Sequence, residues 1–471
     1  MLSAFGCSGT VPGVSTQAGL PWGSLAKSLS GRLILPGGEG YAAYARPNNL
    51  RYASALPAGI ALCANARDVA NSIRWAREYG VPLVARSGGH SYAGYSTTSG
   101  LMIDLAAMRG FAFDPATGIA TLGGGARNAD VFSNGRKHGV AITHGRCLSV
   151  GVTGLALGGG VGFNMRSHGL TCDQLVGFEI VGADGTAQRI GPHDELFWAC
   201  RGAGGGNYGI NTSMSFATFA VGRIVAYDLR WDREQERIFA SLAAALESAP
   251  ATLGCKLTAS RTAPAHGGTG AIEIQLLGQL YGSQAELLEI LAPAYAIAEP
   301  SKVGFLAELP YWDAQAMLSE PGDPEYFQER SRFFDESVGG DAVATIFSWL
   351  RAWPATAAGA SFKLFETGGR VNAVAPSATA FVHRNSRWLG SIGLVWDAST
   401  PPAALQRNLA WQSDFYHAIT PLAKGGAFQN FIDPSLTDWK SAYYGANLGR
   451  LEAIKKAVDP SHVFTFAQAI P

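Results

Sequence analysis

Arg86-Ser-Gly-Gly-His90-Ser-Tyr92-Ala-Gly-Tyr95-Ser96 is the stretch on which the fold of this chain turns. It leaves one short apolar run, Val81-Pro-Leu-Val84, and precedes another, Leu101-Met-Ile-Asp-Leu105. Two glycines ahead of the histidine allow positive φ and expose successive backbone N–H groups, which is how a loop cradles a phosphate without side chains. His90 stands at the lip of that loop beside Tyr92 and Tyr95, where it can be a ligand, a base or a covalent anchor. Taken alone, the stretch is equally a surface turn with an incidental histidine.

Its surroundings read as layered strands and helices. Residues 68–79 carry Val69, Ile73 and Ala76 at helical spacing and stop at Gly80, and residues 81–85 form the strand that enters the loop. A strand at 119–122 ends at Gly123-Gly-Gly125, and a helix at 129–138 ends at Gly139. Further on, Gly145-Arg-Cys147-Leu-Ser-Val-Gly151-Val-Thr-Gly154-Leu-Ala-Leu-Gly158-Gly159-Gly-Val-Gly162 repeats glycine every three or four residues. On a helix that spacing bares one face to backbone or to a flat ligand. A lone Gly-x-Gly-x-x-Gly is weak evidence; this longer run behind a cysteine is more specific. The ordinary fate of a free thiol, burial in a core, is the alternative for Cys147.

Residues 178–190 form a hairpin turned at Asp184-Gly185, and Ala203-Gly-Gly-Gly206-Asn-Tyr-Gly-Ile210 is another glycine-rich turn, before a strand at 212–219. Composition shifts near residue 221. Residues 222–424 hold strands at 271–281 and 389–397 and helices at 235–247, 283–297 and 403–419, and residues 425–471 return to a different style with a helix at 448–458. The division expected is 1–221, 222–424 and 425–471.

The chain has 471 residues, 36 basic and 36 acidic, with hydrophobic residues at 47%. A zero net charge argues against nucleic acid or an anionic membrane as partner. No apolar run approaches the roughly 20 residues that span a bilayer. The first residues, with Cys7 among Ser, Gly and Pro, read either as the stub of a trimmed export signal or as an unstructured start. Six cysteines without a CxxC pair argue against zinc and against a disulfide framework, with a Cys7–Cys63 bridge left open.

Together RSGGHSYAGYS, GRCLSVGVTGLALGGGVG, ELFWACRGAGGGNYGI, YYGANLGRL and VDPSHVFTFAQAIP resemble the berberine bridge enzyme-like FAD-linked oxidases. That branch belongs to the vanillyl-alcohol oxidase superfamily, and the likeness runs from about residue 50 to the end. It implies an α+β fold: a two-subdomain FAD-binding domain of the p-cresol methylhydroxylase type, plus a substrate domain with an antiparallel sheet flanked by helices. His90 matches the histidine bonded to the flavin 8α carbon, and Cys147 the cysteine bonded to flavin C6. Arg86, Ser87, Gly88, Gly89 and Ser91 match the pyrophosphate loop. Gly151, Gly154, Gly158, Gly159 and Gly162 match the loop packed on the dinucleotide. Tyr444 and Asn447 are expected near the cofactor.

The pattern breaks where a base is expected. The family's Asn-Tyr motif reads Asn430-Phe431 here, and the stretch 368–384, where some relatives carry a glutamate on a strand, has no carboxylate. A phenyl ring accepts no proton. Tyr443, Tyr444, Tyr92 and His383 are the replacements considered, with Tyr95 and Asp433 behind them; the sequence supplies no distances by which to choose. Tyr311, Trp312, Trp349, Trp353 and Trp396 are candidate stacking surfaces, or simply core.

The resemblance implies an oxidase with FAD attached at both His90 and Cys147. It would oxidise an alcohol or related C–H bond of a bulky substrate, an oligosaccharide or a polycyclic metabolite, and pass electrons to dioxygen to give hydrogen peroxide. Two alternatives stand beside it. One is altered chemistry, a non-redox cyclisation or base-independent oxidation, because of Phe431. The other is a flavin-bearing binding protein without catalysis.

Overall fold

The structure, a computed structural model, describes residues 19–471. Cys7 and the N-terminal stub lie outside the described residues. Cys63 is buried, its thiol against the Ser72 hydroxyl.

Three large sheets and a two-stranded pair, Phe219–Ala220 with Val140–Ala141, build the described residues. The first has four strands in the order Arg32–Ile34, Gly59–Leu62, Leu101–Asp104 and Leu83–Arg86; the last three run parallel. The helix Ala66–Glu78 packs on it through buried Val69, Ile73 and Trp75, and Asn65 caps it by accepting from the Asp68 N–H. Each fully buried aliphatic side chain of this kind contributes about 1.5–3 kcal/mol. The second sheet is antiparallel and five-stranded: Phe111–Asp114, Ile119–Gly123, Ile210–Ala217, Leu175–Val181 and Ala187–Ile190.

The third sheet is antiparallel with seven strands, in the order Lys302–Pro310, Arg223–Trp231, Ile272–Leu280, Leu253–Thr262, Gly359–Glu366, Trp388–Trp396 and Tyr326–Phe334. Helices Gln235–Glu247, Gln284–Tyr295, Gly340–Arg351 and Pro402–Ala423 cover one face, and Phe239, Leu242, Ile346, Phe347 and Phe415 join its core. The opposite face carries polar residues and turns toward the glycine loops. The expected α+β class and the antiparallel, helix-flanked sheet are both present.

Two local expectations are corrected. The glycine run is helical only over Val152–Leu157, because Gly159 and Gly160 take φ of 111° and 87°, outside the helical region. Residues 368–384 are not strand; the strand is the preceding segment Gly359–Glu366.

The last segment ties back to the first sheets. Lys455 of the helix Leu448–Val458 has its Nζ fully buried, donating to the Asn207 and Phe464 carbonyls and the Asp459 carboxylate, each at 2.7 Å. Among the described residues no helix is long and apolar enough to cross a membrane.

Candidate functional site

The strand Leu83–Arg86 delivers the chain into the loop Ser87–Ser91, which meets the second glycine loop backbone to backbone. A Cβ on Gly88 would lie 2.2 Å from the Gly151 nitrogen, and one on Gly151 would lie 2.5 Å from the Gly88 nitrogen. Only glycine permits that approach. Ser87 Oγ donates to the Gly124 carbonyl at 2.7 Å, fastening the loop to the five-stranded sheet, and Gly89 turns the chain at φ 76°. Between these loops, the Ala203–Asn207 turn and residues 428–432 lies a cavity of about 260 Å³. Asn211 Nδ2 and Gln429 Oε1 belong to residues that line it, and neither atom has a hydrogen-bond partner among the described residues. A buried donor and a buried acceptor left unpaired are costly, so this wall suits a polar ligand.

His90 and Cys147 converge at one end of the cavity. Both flank Gly322: a Cβ there would sit 3.4 Å from His90 Cε1 and 3.1 Å from Cys147 Cβ. His90 Nε2 is 2.9 Å from Ser149 Oγ, and that hydroxyl donates its one proton to the Gly322 carbonyl at 2.8 Å. Nε2 must therefore be the N–H donor, which leaves Nδ1 with the free lone pair. Burial, aided by the charge of Arg127, pushes His90 down to about 4, so the ring is neutral at physiological pH. Cys147 donates its S–H to Glu320 Oε1 at 2.6 Å. Burial and then the Glu320 charge push this thiol up to about 12. Arg146 holds Glu320 from the other side at 2.9 Å.

The residues expected at the cofactor fall into two groups by their contacts within the protein. Arg86 spends its guanidinium on the carbonyls of Tyr44, Ala45, Arg46 and Ser96, so it braces the loop from behind. Asn447 donates to the carbonyls of Pro376 and Thr379. A Cβ on Gly158 would meet Asn430, one on Gly159 would meet Phe381, and one on Gly162 would meet the His144 carbonyl, so each of these glycines is closely approached by protein. Ser87, Gly88, Gly89, His90, Ser91, Gly151, Gly154 and Tyr444 do line the cavity, while Cys147 is not among its lining and meets it through Gly322 beside His90.

The candidate bases separate in the same way. His383 is buried against Phe333 at 4.3 Å, and burial pushes it down to about 3. Tyr443 gives its hydroxyl oxygen to the Asp433 N–H at 2.8 Å, and Asp433 is paired with Arg330 at 2.7 Å. None of the three lines the cavity. Tyr444 lines the wall with its hydroxyl committed to the Ala203 carbonyl at 2.9 Å. Tyr95 packs on Phe466. Tyr92 stacks parallel on Phe431, with centroids 5.2 Å apart and 4° between planes, and burial raises its phenol well above the usual value. Tyr311, Trp312, Trp353 and Trp396 are buried core.

Motif reading missed a charged cluster on the inner face of the seven-stranded sheet. Glu329, Lys363 and Lys256 come from three strands and share that face by register: Glu329 opposes Gly393, Lys363 opposes Ser391, and Lys256 opposes Phe365. Glu366 lies on the other face, in an ion pair with Arg166 at 2.6 Å. Period-two alternation at 361, 363 and 365 was the available signal.

Residues 57–191 match the family model described as FAD binding domain, and residues 427–471 the one described as berberine and berberine like. An uncharacterized FAD-linked oxidoreductase of Bacillus subtilis (strain 168) is 30% identical over 94% of this chain and 97% of its own. The glucooligosaccharide oxidase of Sarocladium strictum is 29% identical over 87% and 86%. Among solved structures, Physcomitrella patens BBE-like 1 superposes with a TM-score of 0.86 at 26% identity, covering 97% of this chain and 99% of that one.

Proposed function

The chain belongs to the berberine-like family of FAD-linked oxidoreductases, and from that premise we propose that it is a carbohydrate oxidase whose FAD is bonded to both His90 and Cys147. The cavity residues suit the cofactor: two glycine loops offer backbone without side chains, and Asn211 Nδ2 and Gln429 Oε1 await polar partners. The observation that carries the double attachment is the convergence of His90 and Cys147 on Gly322. His90 would bond through Nδ1, because Nε2 already donates to Ser149. Glu320 would take the Cys147 proton, which it already holds in a hydrogen bond.

When bound, FAD supplies the two-electron acceptor that takes a hydride from the substrate carbon. The chain's own residues orient and desolvate. Ser87–Ser91 and Gly151–Gly154 would hold the pyrophosphate side, while Tyr92 and Phe431 present flat apolar surface against which a sugar ring can lie. Residues 222–424 form the substrate-binding part in this reading, with the polar sheet face as the wall toward the sugar. The carbohydrate class is supported by the glucooligosaccharide oxidase relative, and dioxygen is the proposed electron acceptor, yielding hydrogen peroxide.

Two measurements test this. Acid-precipitated protein is expected to keep its flavin, and peroxide is expected on addition of glucose, cellobiose or xylobiose. Free flavin in the acid supernatant removes the covalent claim; peroxide with none of these sugars removes the substrate class.

A further inference from the structure

Sheet register, and no motif, brings Lys256 to the site. Lys256 on Leu253–Thr262 lies directly opposite Phe365 on Gly359–Glu366. Residues so opposed share a face, with Cβ atoms about 5 Å apart. The Phe365 ring in turn lies 5.8 Å from the ring of Phe431, which lines the cavity. Lys256 is therefore one residue, Phe365, removed from the wall position where a hydroxyl is missing.

The charges around it are paired with one exception. Lys363 donates to both oxygens of Glu329 at 3.0 Å, and Arg146 holds Glu320 at 2.9 Å. Lys256, half-buried, makes no hydrogen bond and no ion pair among the described residues. The groups that face it are Arg146, Lys363, Glu320 and Glu329, and its own charge in turn acts on the Cys147 thiol. Burial, then the like charges of Arg146 and Lys363, push its amine down to about 7, against the opposing pull of the two glutamates. A good part of the amine is then neutral at physiological pH and able to take a proton. Such a lysine has no structural partner to serve.

We infer that Lys256 is the proton acceptor for the substrate hydroxyl, standing in for the phenol that Phe431 lacks. The inference rests on the oxidase reading above. The substrate O–H proton passes to the neutral amine and makes an ammonium; the adjacent C–H leaves as hydride to the oxidised flavin; the C–O single bond becomes a carbonyl. Dioxygen then takes the two electrons, with two protons, as hydrogen peroxide.

The test uses the holoenzyme. Trace labelling with acetic anhydride across pH, read by peptide mass spectrometry, is expected to half-activate Lys256 near pH 7, about three units below an exposed lysine. In stopped flow with glucose, cellobiose and xylobiose, Lys256→Met is expected to slow flavin bleaching about 100-fold or more. Its flavin content and half-saturating sugar concentration stay as in the wild type. The wild-type rate rises with pH through about 7, and that rise is lost in the variant. Lys256→Arg keeps a cation yet cannot be deprotonated, so it is expected to be as slow as Lys256→Met, whereas a merely structural cation would be restored by arginine. Labelling of Lys256 together with the exposed lysines overturns the inference and leaves the oxidase reading standing. So does either variant with the wild-type rate and pH profile. Wild-type flavin that none of the three sugars bleaches overturns the oxidase reading, and the inference with it.

Discussion

His90 and Cys147 reach the same end of the cavity from different loops, and each is prepared differently. The imidazole is already neutral with Nδ1 free, because Ser149 fixes its tautomer. The thiol is protonated and needs Glu320 to release it. Either bond alone is expected to hold the flavin, so His90→Ala and Cys147→Ala should each keep colour in the acid pellet, and the double variant should release it. Free flavin from either single variant would mean that the remaining residue is not bonded. That these two side chains would meet could be expected from sequence, since a nucleophile beside glycines in a recognisable motif carries its meaning locally. The place of Lys256 could not. Its neighbours in space, Phe365 and Glu329, are far away in sequence, and only strand register brings them together. The tyrosines are ambiguous for a related reason: Tyr443 and Tyr444 look reactive as letters, yet their hydroxyls are committed to the Asp433 N–H and the Ala203 carbonyl.

Elements with a strong period were read closely, although the helix expected at 403–419 runs on to Ala423. The helices at Gln235–Glu247 and Leu448–Val458 are where the apolar spacing puts them. Glycine runs carry no period and set no helix end, and the helix after Gly151 stops at Leu157. Two glycines of these loops separate folding from binding. A Cβ on Gly88 collides with backbone at 2.2 Å, whereas one on Gly154 meets nothing within 4 Å and faces the cavity. Gly88→Ala is therefore expected to force the loops apart and lower the melting temperature by several degrees, at about 1–3 kcal/mol for overpacking, with flavin lost as well. Gly154→Leu adds a good helix former and fills ligand space. It should leave the melting temperature of flavin-free protein unchanged or higher by about 0.5–1 kcal/mol of helix stability, while flavin content falls. Equal flavin loading in wild type and Gly154→Leu would place the dinucleotide elsewhere.

At the scale of the molecule, the cavity is closed by a chain that leaves the seven-stranded sheet and comes back to the glycine loops. Residues 428–432 line the cavity, and the next residue, Asp433, pins them to the sheet through Arg330 at 2.7 Å. Both side chains are almost fully buried, at 3% and 4% exposure, and Arg330 also lies 3.9 Å over the Tyr416 ring. Asp433 further receives the Ser435 N–H on its carboxylate, and its carbonyl receives Gln468 from the far end of the segment. Removing one member of such a pair strands a buried charge, which costs about 3–5 kcal/mol. Removing both leaves an apolar contact in its place. Asp433→Ala is thus expected to destabilise the protein in denaturant titration and to lower flavin content, because the wall it anchors no longer sits against the loops. Arg330→Met in the Asp433→Ala background is expected to recover most of the stability. Flavin content then discriminates two roles for the pair. If it recovers together with stability, the pair acts by holding the segment down. If stability returns and flavin does not, Asp433 orients the wall itself, through the Ser435 N–H that its carboxylate accepts, and the ion pair is only part of how the sheet and the cofactor cavity are kept in register.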